Sequence, residues 1–233
     1  MLTDPHHRRS IPKTAFQWFV RWMFRIQLTL IYRIRVHGLE NFPEPGKTLI
    51  CSNHQSFLDP VVLGTTCPRP LNYLARKTLF DVAAPVRIFL SGNDAIPFDR
   101  DAVGLAGIKE SLKRLKRGEM VVMFPEGTRS SDGELLPFKP GFDLLARRTK
   151  SRLLPIALDG CYKAFPRDAI LPKFGEIRVV IGEPIEYDQY KDWSPEETLT
   201  ILENRVAELL ATARRKINRD LKTDAESVSQ TEI

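Results

Sequence analysis

The stretch Thr48-Leu49-Ile50-Cys51-Ser52-Asn53-His54-Gln55-Ser56-Phe57-Leu58-Asp59-Pro60 places an apolar strand-like run, a polar turn and a helix start side by side. Five apolar or small residues bounded by a turn suit a strand buried on both faces. Pro60 disfavours helical geometry at Asp59 and is itself tolerated at a helix start. His54 is therefore expected on a turn after a strand over 48–52, with Asp59 near the N-terminus of the next helix. On one continuous helix the five-residue spacing would set the two side chains about 140° apart. Across a turn they can meet, the carboxylate orienting the imidazole so that its other nitrogen accepts a proton. By itself the pair is a weak signal, because a turn histidine followed by an N-cap aspartate looks the same.

Working outward, similar short runs recur at Leu71–Ala75, Ala95–Phe98, Met120–Phe124, Leu153–Leu158 and Ile177–Ile181, with helical stretches near 60–66, 101–117 and 141–149. Apolar runs alternating with helices predict an α/β fold, a mostly buried sheet flanked by helices. A final helix begins at Ser194-Pro195-Glu196-Glu197, which supplies an N-cap, a proline at the first helical position and a capping-box glutamate. Leu199, Leu202, Val206, Leu209, Ala213 and Ile217 give it one apolar stripe. The polar composition from Thr223 predicts a disordered tail over 223–233.

The N-terminal part differs in charge. Residues 1–36 hold Arg8, Arg9, Lys13, Arg21, Arg25, Arg33 and Arg35 against Asp4 alone, so this segment accounts for the formal net charge of +6 of the whole 233-residue chain. Residues 12–35 read as a helix with Phe19, Trp22, Met23, Ile26 and Leu30 on one side. Its longest arginine-free stretch after Arg25, Ile26–Tyr32, is far short of the roughly 18 apolar residues that a spanning helix needs. Trp18, Trp22 and Tyr32 among arginines suit a helix lying in the headgroup layer of an anionic membrane. An amphipathic helix packed on its own domain would show the same periodicity. The resulting division is a basic docking segment over 1–36, a domain over 37–222 and the tail.

Cys51, Cys67 and Cys161 form neither a disulfide framework nor a metal spacing, and a reducing cytosol is the simplest reading. No signal peptide is legible. Neither a zinc site nor a phosphate loop matches. Nucleic-acid binding lacks a motif, and apolar residues outnumber the arginines at the basic end.

A second constellation is Val121-Val122-Met123-Phe124-Pro125-Glu126-Gly127-Thr128-Arg129-Ser130. A buried strand runs into a turn where Gly127 permits close backbone approach and Arg129 offers a fork of donors for phosphate. A structural turn with a solvated arginine is the bland alternative. Together, Asn53-His54-Gln55-Ser56-Phe57-Leu58-Asp59 and Phe124-Pro125-Glu126-Gly127-Thr128-Arg129-Ser130 resemble the 1-acyl-sn-glycerol-3-phosphate acyltransferase family of the glycerolipid acyltransferase superfamily. Ile96-Pro97-Phe98-Asp99-Arg100, Phe138-Lys139-Pro140-Gly141 and Leu154-Pro155-Ile156-Ala157 agree with it, and the resemblance spans roughly 35–185. Asp94-Ala95 stands where the family often has a glycine pair, which puts the shape of the acceptor pocket in doubt.

The resemblance implies a fold and a function: transfer of a fatty acyl group from acyl-CoA or acyl-carrier protein to the free hydroxyl of 1-acyl-sn-glycerol-3-phosphate, giving phosphatidic acid. It implies His54 as general base and Asp59 as its orienter, with no acyl-enzyme, so that Ser52, Ser56 and Cys51 are not nucleophiles. Arg129 would hold the acceptor phosphate with Arg100, Lys77 and Lys139, and Gly127 and Thr128 would line the substrate site. Glu126 would position substrate, and backbone N–H groups near Glu126 and Gly127 would stabilise the oxyanion. No metal or other cofactor is expected; the partners are the two substrates and an anionic membrane, met peripherally at its cytoplasmic face. Another lysolipid acceptor, or a non-catalytic membrane-binding role, are the alternatives; erosion of His54, Asp59 or Glu126 would favour the latter, and all three are present.

Overall fold

The computed structural model describes residues 11–76, 96–98, 105–169 and 171–231. The helices are α1 (Ile11–Tyr32), α2 (Asp59–Thr66), α3 (Leu105–Lys116), α4 (Phe142–Thr149), α5 (Cys161–Ala164), α6 (Tyr187–Tyr190) and α7 (Pro195–Thr231). The strands are β1 (Arg35–His37), β2 (Thr48–Ser52), β3 (Leu71–Arg76), β4 (Ile96–Phe98), β5 (Met120–Met123), β6 (Arg152–Asp159) and β7 (Arg178–Ile181). They form one seven-stranded sheet in the order β1-β7-β6-β2-β5-β3-β4. All pairs are parallel except β6 with β7.

The central strands are buried on both faces, and their interior positions are mostly apolar for that reason. Ile50, Met120, Val122, Leu154, Ile156 and Leu158 turn to one face and pack with Leu28 and Tyr32 of α1 and Val62 and Leu63 of α2. Leu49, Cys51, Val121, Leu153 and Ala157 turn to the other, against α4 and against Leu202, Val206 and Leu210 of α7. This is the period-two alternation of a pleated strand, with helices on each side. Pro155 lies inside β6, where a missing N–H would normally break a ladder. Its carbonyl accepts Gly182 N–H at 2.9 Å, so its nitrogen turns to the same flank. There the β7 ladder has ended at the Ile156–Ile181 pair, and pairing resumes only at the Leu153–Ile185 bridge.

The capping box of α7 forms as expected, with Ser194 N–H donating to Glu197 Oε2 at 2.7 Å and Glu197 N–H donating to Ser194 Oγ at 3.1 Å. Along its stripe, Leu210 is buried more deeply than Leu209. The helix continues to Thr231 instead of giving way to a disordered tail at 223, since no proline or glycine follows Pro195 to stop it. Ala95, Asp94 and residues 101–104, expected in a strand, in a departure from the family pattern and in a helix, lie outside the described residues.

At the other end, α1 stops at Tyr32 and the chain turns through Arg33, at φ 40°, into the three-residue β1, so 33–35 are not helical. Leu28 and Tyr32 are buried against the domain, whereas Phe19, Trp22, Met23, Ile26 and Leu30 are exposed, Trp22 at 63% and Leu30 at 77%. The apolar stripe read from the sequence thus points away from the domain. Among the described residues no helix is long and apolar enough to cross a membrane.

Candidate active site

Parallel β2, β5 and β6 end together at one edge of the sheet, where loops of an open α/β sheet gather ligands. His54 leaves the end of β2 on an irregular turn, and Asp59 opens α2. His54 Nδ1 and Asp59 Oδ2 are 2.7 Å apart. The same carboxylate oxygen accepts the backbone N–H of Gln55 at 2.6 Å and of Ser56 at 2.7 Å. Asp59 is fully buried, while the His54 side chain retains 19% exposure. The imidazole lies flat on Phe124, ring centroids 4.0 Å apart and 17° from parallel. With its Nδ1 proton directed at Asp59, the ring keeps Nε2 to accept a proton from a ligand.

The remaining polar residues of the turn hold its shape. Asn53 donates to the Leu158 carbonyl and accepts the Leu158 N–H, both at 2.8 Å. Gln55 Nε2 donates to the Gly133 carbonyl at 2.8 Å. The hydroxyls of Ser52 and Ser56 are buried and donate to the carbonyls of Asn53 and Phe165. Cys51 is fully buried and burial pushes its thiol up. Cys161, also buried, has its thiol raised by burial and by the carboxylates of Asp59 and Asp159. No activated nucleophile stands among these groups.

The turn after β5 clasps the His54 peptide from both sides. Glu126 Oε1 accepts the His54 N–H at 2.7 Å, and the Ser130 N–H donates to the His54 carbonyl at 2.8 Å. The second Glu126 oxygen accepts the Leu136 N–H at 3.1 Å. Glu126 is buried, and burial raises its carboxyl to about 7 against the opposing pull of those two N–H groups. Both Glu126 oxygens thus face backbone, and the carboxylate braces the turn that carries His54. The oxyanion expectation at Gly127 is corrected, because its N–H donates to the Phe124 carbonyl at 3.0 Å.

Gly127 is exposed at φ 69°, and a Cβ there would meet Lys139 Nζ at 3.3 Å, so the lysine side chain lies across the turn. The Lys139 N–H donates to the Pro125 carbonyl at 2.9 Å. Arg129 sets its guanidinium 3.6 Å above the Phe57 ring, which is itself exposed beside His54. Thr128, between them, is half-buried. The structure thus gathers His54, Asp59, Glu126, Gly127, Thr128, Arg129 and Lys139 at one edge. Lys77 and Arg100 lie outside the described residues. Sequence reasoning missed Phe124 as the floor of the imidazole and Phe57 as the platform of Arg129. Each lies inside a recognised motif, but an aromatic there reads equally well as core.

A family model, Acyltransferase, matches residues 33–159. A 1-acyl-sn-glycerol-3-phosphate acyltransferase of Bacillus subtilis is 32% identical over 190 residues, covering 79% of this chain and 92% of that protein. A chloroplast 1-acyl-sn-glycerol-3-phosphate acyltransferase of Arabidopsis thaliana is also 32% identical over 79% of this chain, which spans 51% of that longer protein. The crystal structure of the 1-acyl-sn-glycerophosphate (LPA) acyltransferase PlsC from Thermotoga maritima superposes with a TM-score of 0.74 at 22% identity, over 93% of this chain and 85% of that one, a likeness of fold.

Proposed function

Because the chain belongs to the Acyltransferase family and is an O-acyltransferase of the 1-acylglycerol-3-phosphate type, we propose that it acylates the free hydroxyl of 1-acyl-sn-glycerol-3-phosphate with a fatty acyl group from acyl-CoA or acyl-carrier protein, giving phosphatidic acid. The observation that carries the mechanism is the 2.7 Å contact between His54 Nδ1 and Asp59 Oδ2. Nε2 takes the acceptor's hydroxyl proton as the oxygen attacks the thioester carbonyl. Collapse of the tetrahedral intermediate forms the new ester and expels the donor thiolate, which takes the proton back from His54. The buried, carbonyl-bonded Ser52 and Ser56 and the buried thiols support this direct transfer over an acyl-enzyme.

The acceptor's phosphate meets Arg129 and Lys139 beside Gly127, whose missing side chain leaves the turn open. Lys77 and Arg100 are proposed to complete this cationic pocket. No cofactor takes part beyond the donor's own carrier. The outward apolar face of α1, with Arg25 exposed on the same helix, docks peripherally on an anionic membrane at its cytoplasmic face. The test is the purified full chain offered a panel of lysolipids with each donor type, products read by mass spectrometry. Phosphatidic acid as the main product upholds the reading; preferential acylation of another lysolipid overturns it.

A further inference from the structure

From α5 the chain passes through residues 165–176 to β7, at the same end of the sheet as His54. The base of this loop is tied down on several sides. Ser56 Oγ donates to the Phe165 carbonyl at 2.6 Å, Lys173 N–H to the Ala164 carbonyl at 2.7 Å, and Ile177 N–H to the Tyr32 carbonyl at 3.0 Å. Its tip is not covered. Leu171 is 74% exposed and Phe174 85%, to be set beside Leu30 at 77% at the close of α1. Lys163, Arg167 and Lys173 are exposed around them. The acids nearby are Asp168, which is exposed, and Glu176, which is largely buried and engaged by Arg178 at 3.3 Å.

Single exposed apolar residues are ordinary. Here two large ones share a proline-containing tip with a net basic rim, and the loop's anchor is the residue that ends α1. The loop base and the end of α1 are thus tied together at the end of the sheet that carries His54, and each exposes large apolar side chains with basic residues about them. We infer that residues 171–174 are a second membrane contact, which enters the headgroup layer of an anionic bilayer and, with α1, turns the His54 edge of the sheet toward the lipid. Apolar burial supplies a contact that salt does not screen, and the lysines and arginine add attraction to anionic headgroups. The contact goes beyond the proposed reaction, and only its benefit, delivery of a membrane-held acceptor, rests on that reading.

The test uses the full chain. Cys51, Cys67 and Cys161 are all buried, so a Phe174→Cys substitution can be labelled selectively with a polarity-sensitive dye. On vesicles of phosphatidylethanolamine and phosphatidylglycerol the dye's emission shifts to the blue. A Leu171→Ser, Phe174→Ser variant binds the same vesicles at least about fivefold more weakly, while its turnover of a short-chain, monomerically dispersed lysolipid stays at the wild-type level. An unshifted dye, undiminished affinity of the double variant, or a shift that follows protein concentration without vesicles and so marks a second copy, each overturns the inference. A blue shift in labelled Phe174→Cys protein and vesicle binding by the wild type, with no acyl transfer by the wild type, uphold this contact and sink the proposed reaction.

Discussion

Glu126 accepts the backbone N–H of His54 through Oε1 at 2.7 Å, so the second motif of the chain fixes the backbone of the first. The link and the second bond, from the Leu136 N–H at 3.1 Å, give this buried carboxylate two backbone partners. A buried backbone N–H left without an acceptor costs about 1–3 kcal/mol. Glu126→Gln keeps an acceptor for one N–H but opposes an amide group to the other. The expected outcome is a loss of about tenfold or more in kcat with little change in either KM, read from steady-state kinetics on protein with native circular dichroism. A rise confined to the acceptor KM would mean that Glu126 touches substrate.

The same residue makes stability depend on pH. Its carboxyl sits near 7 when folded, above the ordinary carboxyl range of the unfolded chain. Between that range and about 7 the folded protein holds a proton that the unfolded chain has released, so stability falls as pH rises through this window and levels off above it. The slope from one such group is at most about 1.4 kcal/mol per pH unit. Melting curves of wild type and Glu126→Gln from about pH 5 to about pH 8 should show the wild type losing stability relative to the variant. A wild-type advantage that grows with pH would contradict the assignment.

For the phosphate site, Arg129→Lys removes both the planar fork and the stacking on Phe57. The acceptor KM is expected to rise by about tenfold while the donor KM stays put. Phe57→Ala, which removes only the platform, should raise the acceptor KM in the same direction but by less. Equal effects on both substrates would assign Arg129 a structural role.

The helix α1 can be tested without disturbing the fold, provided that only its outward side chains are changed. Trp22→Ser with Leu30→Ser should weaken vesicle binding at every salt concentration, whereas Arg25→Gln should weaken it mainly at low ionic strength. Co-sedimentation across a salt series checks both. Deleting residues 1–35 is a poorer experiment, since it removes Leu28 and Tyr32 from the core and breaks the Ile177–Tyr32 hydrogen bond.

Much of this was legible in the sequence, for identifiable reasons. Pro60 separated His54 from Asp59 into a turn and a helix start, and buried strands announced themselves as short apolar runs. Other features depended on distant partners. The three residues of β1 carry too little pattern to stand out, and find their place only against β7. The Glu126–His54 bond was hidden because it joins residues 72 positions apart, and neither motif by itself says which backbone N–H the carboxylate reaches. The stripe on α1 was correct as a pattern, but periodicity cannot say whether such a face turns inward or outward.

The central claim, that His54 oriented by Asp59 is the general base of acyl transfer, is tested most directly by the rate at which His54→Ala protein forms phosphatidic acid under saturating substrates. The pair's geometry predicts a fall of roughly 10²–10⁴-fold, with the melting temperature nearly unchanged because the imidazole is partly exposed and its removal leaves Asp59 still bonded to the N–H groups of Gln55 and Ser56. Turnover within about threefold of wild type in folded His54→Ala protein, far short of the loss expected from removing a general base, would mean that another group takes the hydroxyl proton.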